Sequence, residues 1–328
     1  MIKRTIYFGN PAYLSYKSEQ LVIKMPEVEN NGSLPNGMKA DAQRTIPVED
    51  VGVVVLDHPQ ITITQGLLAA LSENNAVLIN CDFKHLPFSI MLPSAVHHAY
   101  TEKLRYQLEA SVPLKKNLWQ QTVVAKIKNQ AALLERLGID AARLYYLAGL
   151  VKSGDVENCE GRAASYYWKV LFNNESRDFE SRRDFVSHRD FTNDTFKRHR
   201  YGEPPNNLLN YGYAILRGVV ARSLVASGLL TAMGIHHRNK YNPYCLADDL
   251  MEPYRPLVDK LVLQIAFEAG DVEELTPGIK RKLLQIPAMD IQIEGQKSPL
   301  MVGMQRTTAS LMQCFEGESR KLVFPEFT

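Results

Sequence analysis
The chain changes its hydrophobic grammar once, at about Ser94, and that change restricts the possible folds more than any other feature. Before it, apolar residues come in short runs at 5–8, 13–16, 21–24, 51–56 and 76–80, rich in β-branched and aromatic side chains and bounded by turn formers. Such runs read as strands. Lys17 and Ser18 are expected to turn a hairpin, and Thr64 to cap one interrupting helix over 66–75. After the change, apolar positions recur at helical period through 95–111, 114–138, 140–154, 156–172, 206–229 and 243–270, with Gly138, Gly154, Gly228 and Gly270 placed to end several of these periods. The pattern predicts an α+β chain, a small β-rich N-terminal domain followed by a larger all-α domain. The expected division is 1–90 for the β-rich domain, 91–98 for a linker in which Pro93 separates the two periods, and 99–328 for the helical domain. Two polar stretches, 27–43 and 173–205, read as long loops.

Composition narrows the function classes. With 45% hydrophobic and 23% charged residues over 328 positions, the chain can bury a large core. A net charge of +2 neither demands nor excludes a polyanionic partner, so any positive surface must come from local placement of the 38 Lys and Arg residues. Cys81, Cys159, Cys245 and Cys314 are scattered without a Cys-x-x-Cys pair, which argues against a zinc ribbon or a disulfide framework. The segment MIKRTIYFGN enters strand-like sequence with no apolar signal core, and no apolar run reaches membrane-spanning length, so a soluble cytoplasmic protein is expected. Phosphate-binding glycine loops, Gly-x-Ser-x-Gly elbows, dinucleotide fingerprints and His-Glu-x-x-His pairs are missing, which leaves nucleotide-hydrolysing and serine-hydrolase readings without support.

Chemistry concentrates in 234–259. His236 and His237 lead through a loop carrying Arg238, Lys240 and Asn242 into an acid-rich helix expected to start near Pro243. Asp249 and Glu252 are three apart, so both carboxylates share one helical face. With His237 they could converge on one hard cation, and such oxygen-rich donors with one imidazole suit Mg²⁺ or Mn²⁺ better than structural zinc. As acids at the positive end of a helix dipole, Asp248, Asp249 and Glu252 are equally well accounted for. Glu160, set among small and aromatic residues, would be a costly buried carboxylate unless paired or metal-bound, whereas an exposed helix N-terminal acid needs no partner. Glu157 competes with it. Lys115, Lys116, Lys126, Lys128 and Arg136 lie around a helix that also carries Trp119; they could follow a phosphate backbone or form an ordinary solvated face.

Three blocks in order carry more: CEGRAASYYW, LNYGYAILRGVVARSLVASGL and GIHHRNKYNPYCLADDLMEPYRPLVDKLV. Together they resemble the metal-dependent integrase subunit of CRISPR adaptation, the larger protein of the spacer-acquisition complex, over nearly the whole chain. The His-His doublet and the ADDL-x-EPYRP string are most similar to the type II branch. The resemblance implies Glu160, His237 and Glu252 as ligands of Mg²⁺ or Mn²⁺, with His237 preferred to His236 for its fifteen-residue spacing to Glu252, and Asp249 as a supporting catalytic acid. Lys115, Lys116, Lys126, Lys128, Arg238 and Lys240 stand as candidate DNA contacts. Further implications are transesterification, in which prespacer 3′-hydroxyl ends attack the repeat, and a homodimer built by the β-rich domain. A heterohexamer with the small adaptation subunit would then hold a double-stranded prespacer. The type II placement adds contact with the RNA-guided effector nuclease and an accessory adaptation protein. Competing expectations are a structure-specific repair endonuclease with the same ligands, and a helical DNA-binding scaffold without a metal site.

Overall fold
The computed structural model describes residues 3–29, 42–94, 97–172, 196–199, 204–269 and 272–327. Most of both expected polar loops, at 30–41, 173–195 and 200–203, lies outside the described residues, as does Gly270.

Among the described residues eight strands build the amino-terminal part: β1 (Arg4–Phe8), β2 (Ala12–Lys17), β3 (Gln20–Lys24), β4 (Gln43–Pro47), β5 (Val51–Leu56), β6 (Ile61–Ile63), β7 (Val77–Cys81) and β8 (Pro87–Met91). They form two four-stranded sheets, ordered β1-β5-β7-β8 and β4-β3-β2-β6. In the first, β1, β5 and β7 run parallel and β8 closes the edge antiparallel. The near-continuous apolar runs of β5 and β7 follow from burial on both faces. Val54 and Leu78 face a small core shared with Leu14, Leu21, and Leu67 and Leu71 of helix α1 (Gln65–Glu73), while Val53, Val55, Val77 and Ile79 join the large core of the helical part. The β2-β3 hairpin turns at Ser18 and Glu19, both at positive φ (51° and 62°), with Lys17 still paired to Gln20. This two-residue geometry matches the strand twist and sits one residue later than the sequence suggested.

Helices follow at α2 (Tyr100–Glu109), α3 (Val112–Arg136), α4 (Ala142–Leu150), α5 (Cys159–Leu171), α6 (Asn206–Ala226), α7 (Cys245–Met251), α8 (Arg255–Ala269), α9 (Pro277–Leu283) and α10 (Leu300–Glu316). α6 runs against the first sheet, and Gly218 permits the approach, since a Cβ there would lie 2.8 Å from Ile79 Cδ1. Sequence periodicity suggested one helix over 243–270. The structure instead ends α7 at Met251 and inserts a 3₁₀ turn, Glu252–Tyr254, before α8. Pro253 and Pro256 cannot donate to a continuous α-helical ladder, and the tighter turn absorbs the break. The helical part also holds a small antiparallel sheet, β10-β9-β11, made of β9 (Asp290–Ile293), β10 (Gln296–Pro299) and β11 (Pro325–Glu326). All four cysteines are unpaired. Among the described residues no helix is long and apolar enough to cross a membrane.

Candidate metal centre
The site is assembled on α3. Ser111 caps this 25-residue helix by accepting from the Leu114 N–H at 3.3 Å, with proline in its first turn. Trp119 and Lys126 are two turns apart and so share a face. Trp119 stacks on the His236 ring, centroids 4.1 Å apart, and meets the His237 ring edge-on at 5.7 Å. Lys126 points its ammonium into a pair of acids.

Glu160 and Glu252 reach that ammonium from different elements. At the start of α5, Asn158 accepts from the Gly161 N–H, and Asp155 accepts from the N–H groups of Cys159 and Glu160, both at 2.9 Å. These bonds satisfy helix-end donors and fix the backbone that carries Glu160. Glu252 opens the 3₁₀ turn between α7 and α8. Asn129 of α3 pins that turn, donating to the Pro253 carbonyl at 2.8 Å and to Pro325 at 2.9 Å, and accepting from Phe327 N–H at 3.1 Å.

Lys126 Nζ donates to Glu160 and lies 2.5 Å from Glu252 Oε2, while Arg255 Nη2 lies 3.0 Å from Glu252 Oε1. The Glu252 side chain is 8% exposed and that of Glu160 is 28% exposed, so the pair opens to solvent on the Glu160 side. The Lys126 ammonium is the polar partner of Glu252 Oε2. Burial pushes the Glu252 carboxyl up, yet Arg255 and then Lys126 outweigh it and hold the group below the usual carboxylate range. Burial likewise works against the Lys126 ammonium, and Glu252 followed by Glu160 raises its pKa above the ordinary lysine value. Glu252 and Lys126 thus each hold the other in its charged form, as a desolvated pair must to persist.

The histidine loop is held from below by Asp249, which is fully buried. Its carboxylate accepts from the backbone N–H groups of His236 at 3.0 Å and His237 at 3.2 Å, and contacts His237 Nδ1 at 2.6 Å. A carboxylate can only accept, so Nδ1 carries the ring proton and Nε2 is left as the nitrogen for a ligand. That hydrogen bond raises the His237 pKa, with burial opposing it, whereas burial lowers that of His236. Gly234 makes the close loop possible: a Cβ there would lie 2.5 Å from the His237 carbonyl oxygen and 2.7 Å from Asp249 Oδ2.

The structure thus brings Glu160 and Glu252 together around one cation, with His237 near enough to act on Glu252 and Asp249 holding His237. Among the described residues no three His, Cys, Asp or Glu side chains already converge on a common point that could hold a metal ion. The donors present nevertheless fit one. Two carboxylates already share a buried cation, and a tautomerically fixed imidazole stands close enough to act on Glu252. Sequence reasoning missed Asp155, Asn129 and Arg255. Of these only Arg255 had a local signal, its i,i+3 spacing from Glu252.

The expected basic stripe divides. Lys126 is buried among acids and is not a surface cation. Lys115 is half-buried close to Arg238; burial and then that guanidinium lower its pKa, so the start of α3 and the histidine loop form one positive edge. Lys116, Arg238 and Lys240 are exposed, while Lys128 lines a separate groove with Arg320 and Lys321.

A sequence profile of the family described as CRISPR associated protein Cas1 matches residues 6–269. The chain belongs to the Cas1 family. The CRISPR-associated endonuclease Cas1 of Neisseria meningitidis serogroup C is 36% identical over 99% of this chain and 97% of its own length. Among solved structures, a casposase bound to integration product superposes with a TM-score of 0.72 at 19% identity, covering 98% of this chain and 92% of that one. A chain of a Cas6-RT-Cas1–Cas2 complex gives a TM-score of 0.68 at 19% identity, covering 99% of this chain and 36% of that one. At these identities the structural likeness concerns the Cas1 fold.

Proposed function
We propose that this Cas1-family protein is a divalent-metal-dependent DNA integrase and endonuclease of CRISPR adaptation, joining prespacer 3′-hydroxyl ends to the repeat by transesterification. The observation that carries this reading is the carboxylate pair Glu160 and Glu252 closed on a single buried cation beside His237. Those two carboxylates and His237 Nε2 would hold Mg²⁺ or Mn²⁺. When bound, such an ion polarises the target phosphodiester and stabilises the leaving oxygen. Asp249 keeps the His237 proton on Nδ1 so that Nε2 stays a donor. Trp119 fixes the histidine pair by stacking, and the positive edge of Lys115, Arg238 and Lys240 orients the DNA backbone toward the acids. One phosphodiester replaces another, so neither ATP nor a covalent enzyme intermediate is required.

The reading extends to assembly. The 1–90 region would form the homodimer, 91–98 the linker and 99–328 the catalytic domain. The Cas2 named in the structural neighbour is the natural model for a small partner that completes a heterohexamer on double-stranded prespacer DNA. A cytoplasmic location and a type II placement, with its effector nuclease and accessory adaptation protein, complete the proposal. The Neisseria relative is an endonuclease, which favours a second activity of the same site, cleavage of branched DNA. Product analysis separates the two: a labelled prespacer covalently inserted into a leader-repeat plasmid supports integration, and released nicked fragments alone support cleavage. Replacing Glu160 by Ala is expected to lower Mn²⁺-dependent joining about a thousandfold, several kcal/mol of barrier, while DNA binding by mobility shift is retained. Wild-type joining by that variant would remove Glu160 from the site.

A further inference from the structure
We propose that Lys126 is the resident counter-ion of the Glu160–Glu252 pair, and that a divalent metal enters this site by displacing the Lys126 ammonium. The inference rests on the metal-centre reading above and adds an order of events to it.

Both oxygens of Glu252 are already occupied by cations, Oε2 by Lys126 at 2.5 Å and Oε1 by Arg255 at 3.0 Å. A metal that takes the lone pairs these cations now face requires one of the two to give way. Arg255 pairs with Glu252 alone of the two acids and is also held over the Tyr213 ring, 4.6 Å from its centroid. Its departure would open one carboxylate and break a cation–π contact. Lys126 bridges both acids, so its withdrawal frees both at once. A compact ammonium on a flexible four-carbon stem is also easier to move than a planar guanidinium clamped on an aromatic face. Glu252 Oε2 is held by the ammonium 2.5 Å away, a position where one cation can be exchanged for another.

Charge explains why such a device is useful. Two carboxylates with Lys126 and Arg255 sum to zero, so the cluster is charge-balanced without a metal. Exchange of the ammonium for a divalent ion makes the cluster net positive and releases a further cation close by. Both changes favour a phosphodiester arriving at the Glu160 side, where the cluster is open.

The test uses the full-length protein without DNA. Mn²⁺ binding is measured by calorimetry for the unaltered chain, Lys126→Met and Glu160→Gln, with melting temperatures in EDTA and in saturating Mn²⁺. Displacement predicts that Lys126→Met binds Mn²⁺ about tenfold tighter or more, and that its melting temperature is lowered more in EDTA than in Mn²⁺. Equal or weaker binding by Lys126→Met, with Glu160→Gln still abolishing it, overturns displacement and leaves the metal centre standing. Absence of Mn²⁺ binding in the unaltered chain overturns both. Should Lys126→Met fail to fold, the unaltered protein supplies the answer through amine acetylation mapped by peptide mass spectrometry. Acetylation of Lys126 should rise severalfold on addition of Mn²⁺; unchanged or reduced labelling overturns the proposal.

Discussion
Among the described residues two lysines are buried, Lys126 and Lys280, and both end on acids. The Lys280 cluster is closed. From α9 its ammonium reaches Asp57 Oδ2 at 2.6 Å, the Tyr7 hydroxyl donates to the same oxygen at 2.5 Å, and His85 Nδ1 contacts Oδ1 at 2.8 Å. One fully buried carboxylate thus has three partners, and the cluster ties the first sheet to the helical part. The Lys126 cluster is the reverse: two acids share one ammonium, and one acid is open to solvent. A saturated buried pair has no vacancy to use and acts as structure. An under-satisfied pair with an opening is where ligand chemistry belongs.

The largest effect that can break this comparison is on stability. Asp57→Asn removes the partner of a buried lysine and is expected to destabilise the fold by about 3–5 kcal/mol, read by urea denaturation, with joining preserved at temperatures where the chain stays folded. A stable Asp57→Asn protein that cannot join DNA would make the closed cluster functional and erase the contrast. Next in size, Asp249→Asn removes the acceptor that fixes His237. It should weaken Mn²⁺ affinity about 10- to 100-fold by calorimetry, and unchanged affinity would detach the histidine loop from the metal centre.

The smallest effect is a pH dependence. Burial raises the Asp57 carboxyl, but hydrogen bonds from Lys280, Tyr7 and His85 outweigh it and hold it below the ordinary aspartate value. A depressed folded pKa means the contribution is fully present above the unfolded pKa and is lost as pH falls through the folded one. Denaturation midpoints of the unaltered chain should accordingly drop between about pH 4 and lower values, and Asp57→Asn should flatten that part of the profile. An unchanged slope in the variant would place the acid sensitivity elsewhere.

The sequence made the large periodic elements legible. β5 and β7 announce themselves as apolar runs because they are buried on both faces, α3 and α6 as helical periods ending before Gly138 and Gly228, and α5 as the helical period over 156–172. What it hid follows from the same physics. β4, β6 and β9 to β11 are short, partly polar strands whose pairing is tertiary, so no local period marks them. The break between α7 and α8 was visible as Pro253 and Pro256, but apolar periodicity ran across it. Within the site, the acids and the histidine were singled out by spacing and by resemblance. Lys126 read as one more cation on a stripe, because nothing local shows that positions 126, 160 and 252 meet in space.

The account turns on one cation replacing another between Glu160 and Glu252, and anomalous diffraction from crystals of the full chain grown with Mn²⁺ tests that directly. A manganese peak at coordination distance from both carboxylates and from His237 Nε2, with the Lys126 ammonium moved out of the gap, is the predicted result. A peak away from these residues, or an ammonium still bridging the two acids in the metal-loaded crystal, would contradict it.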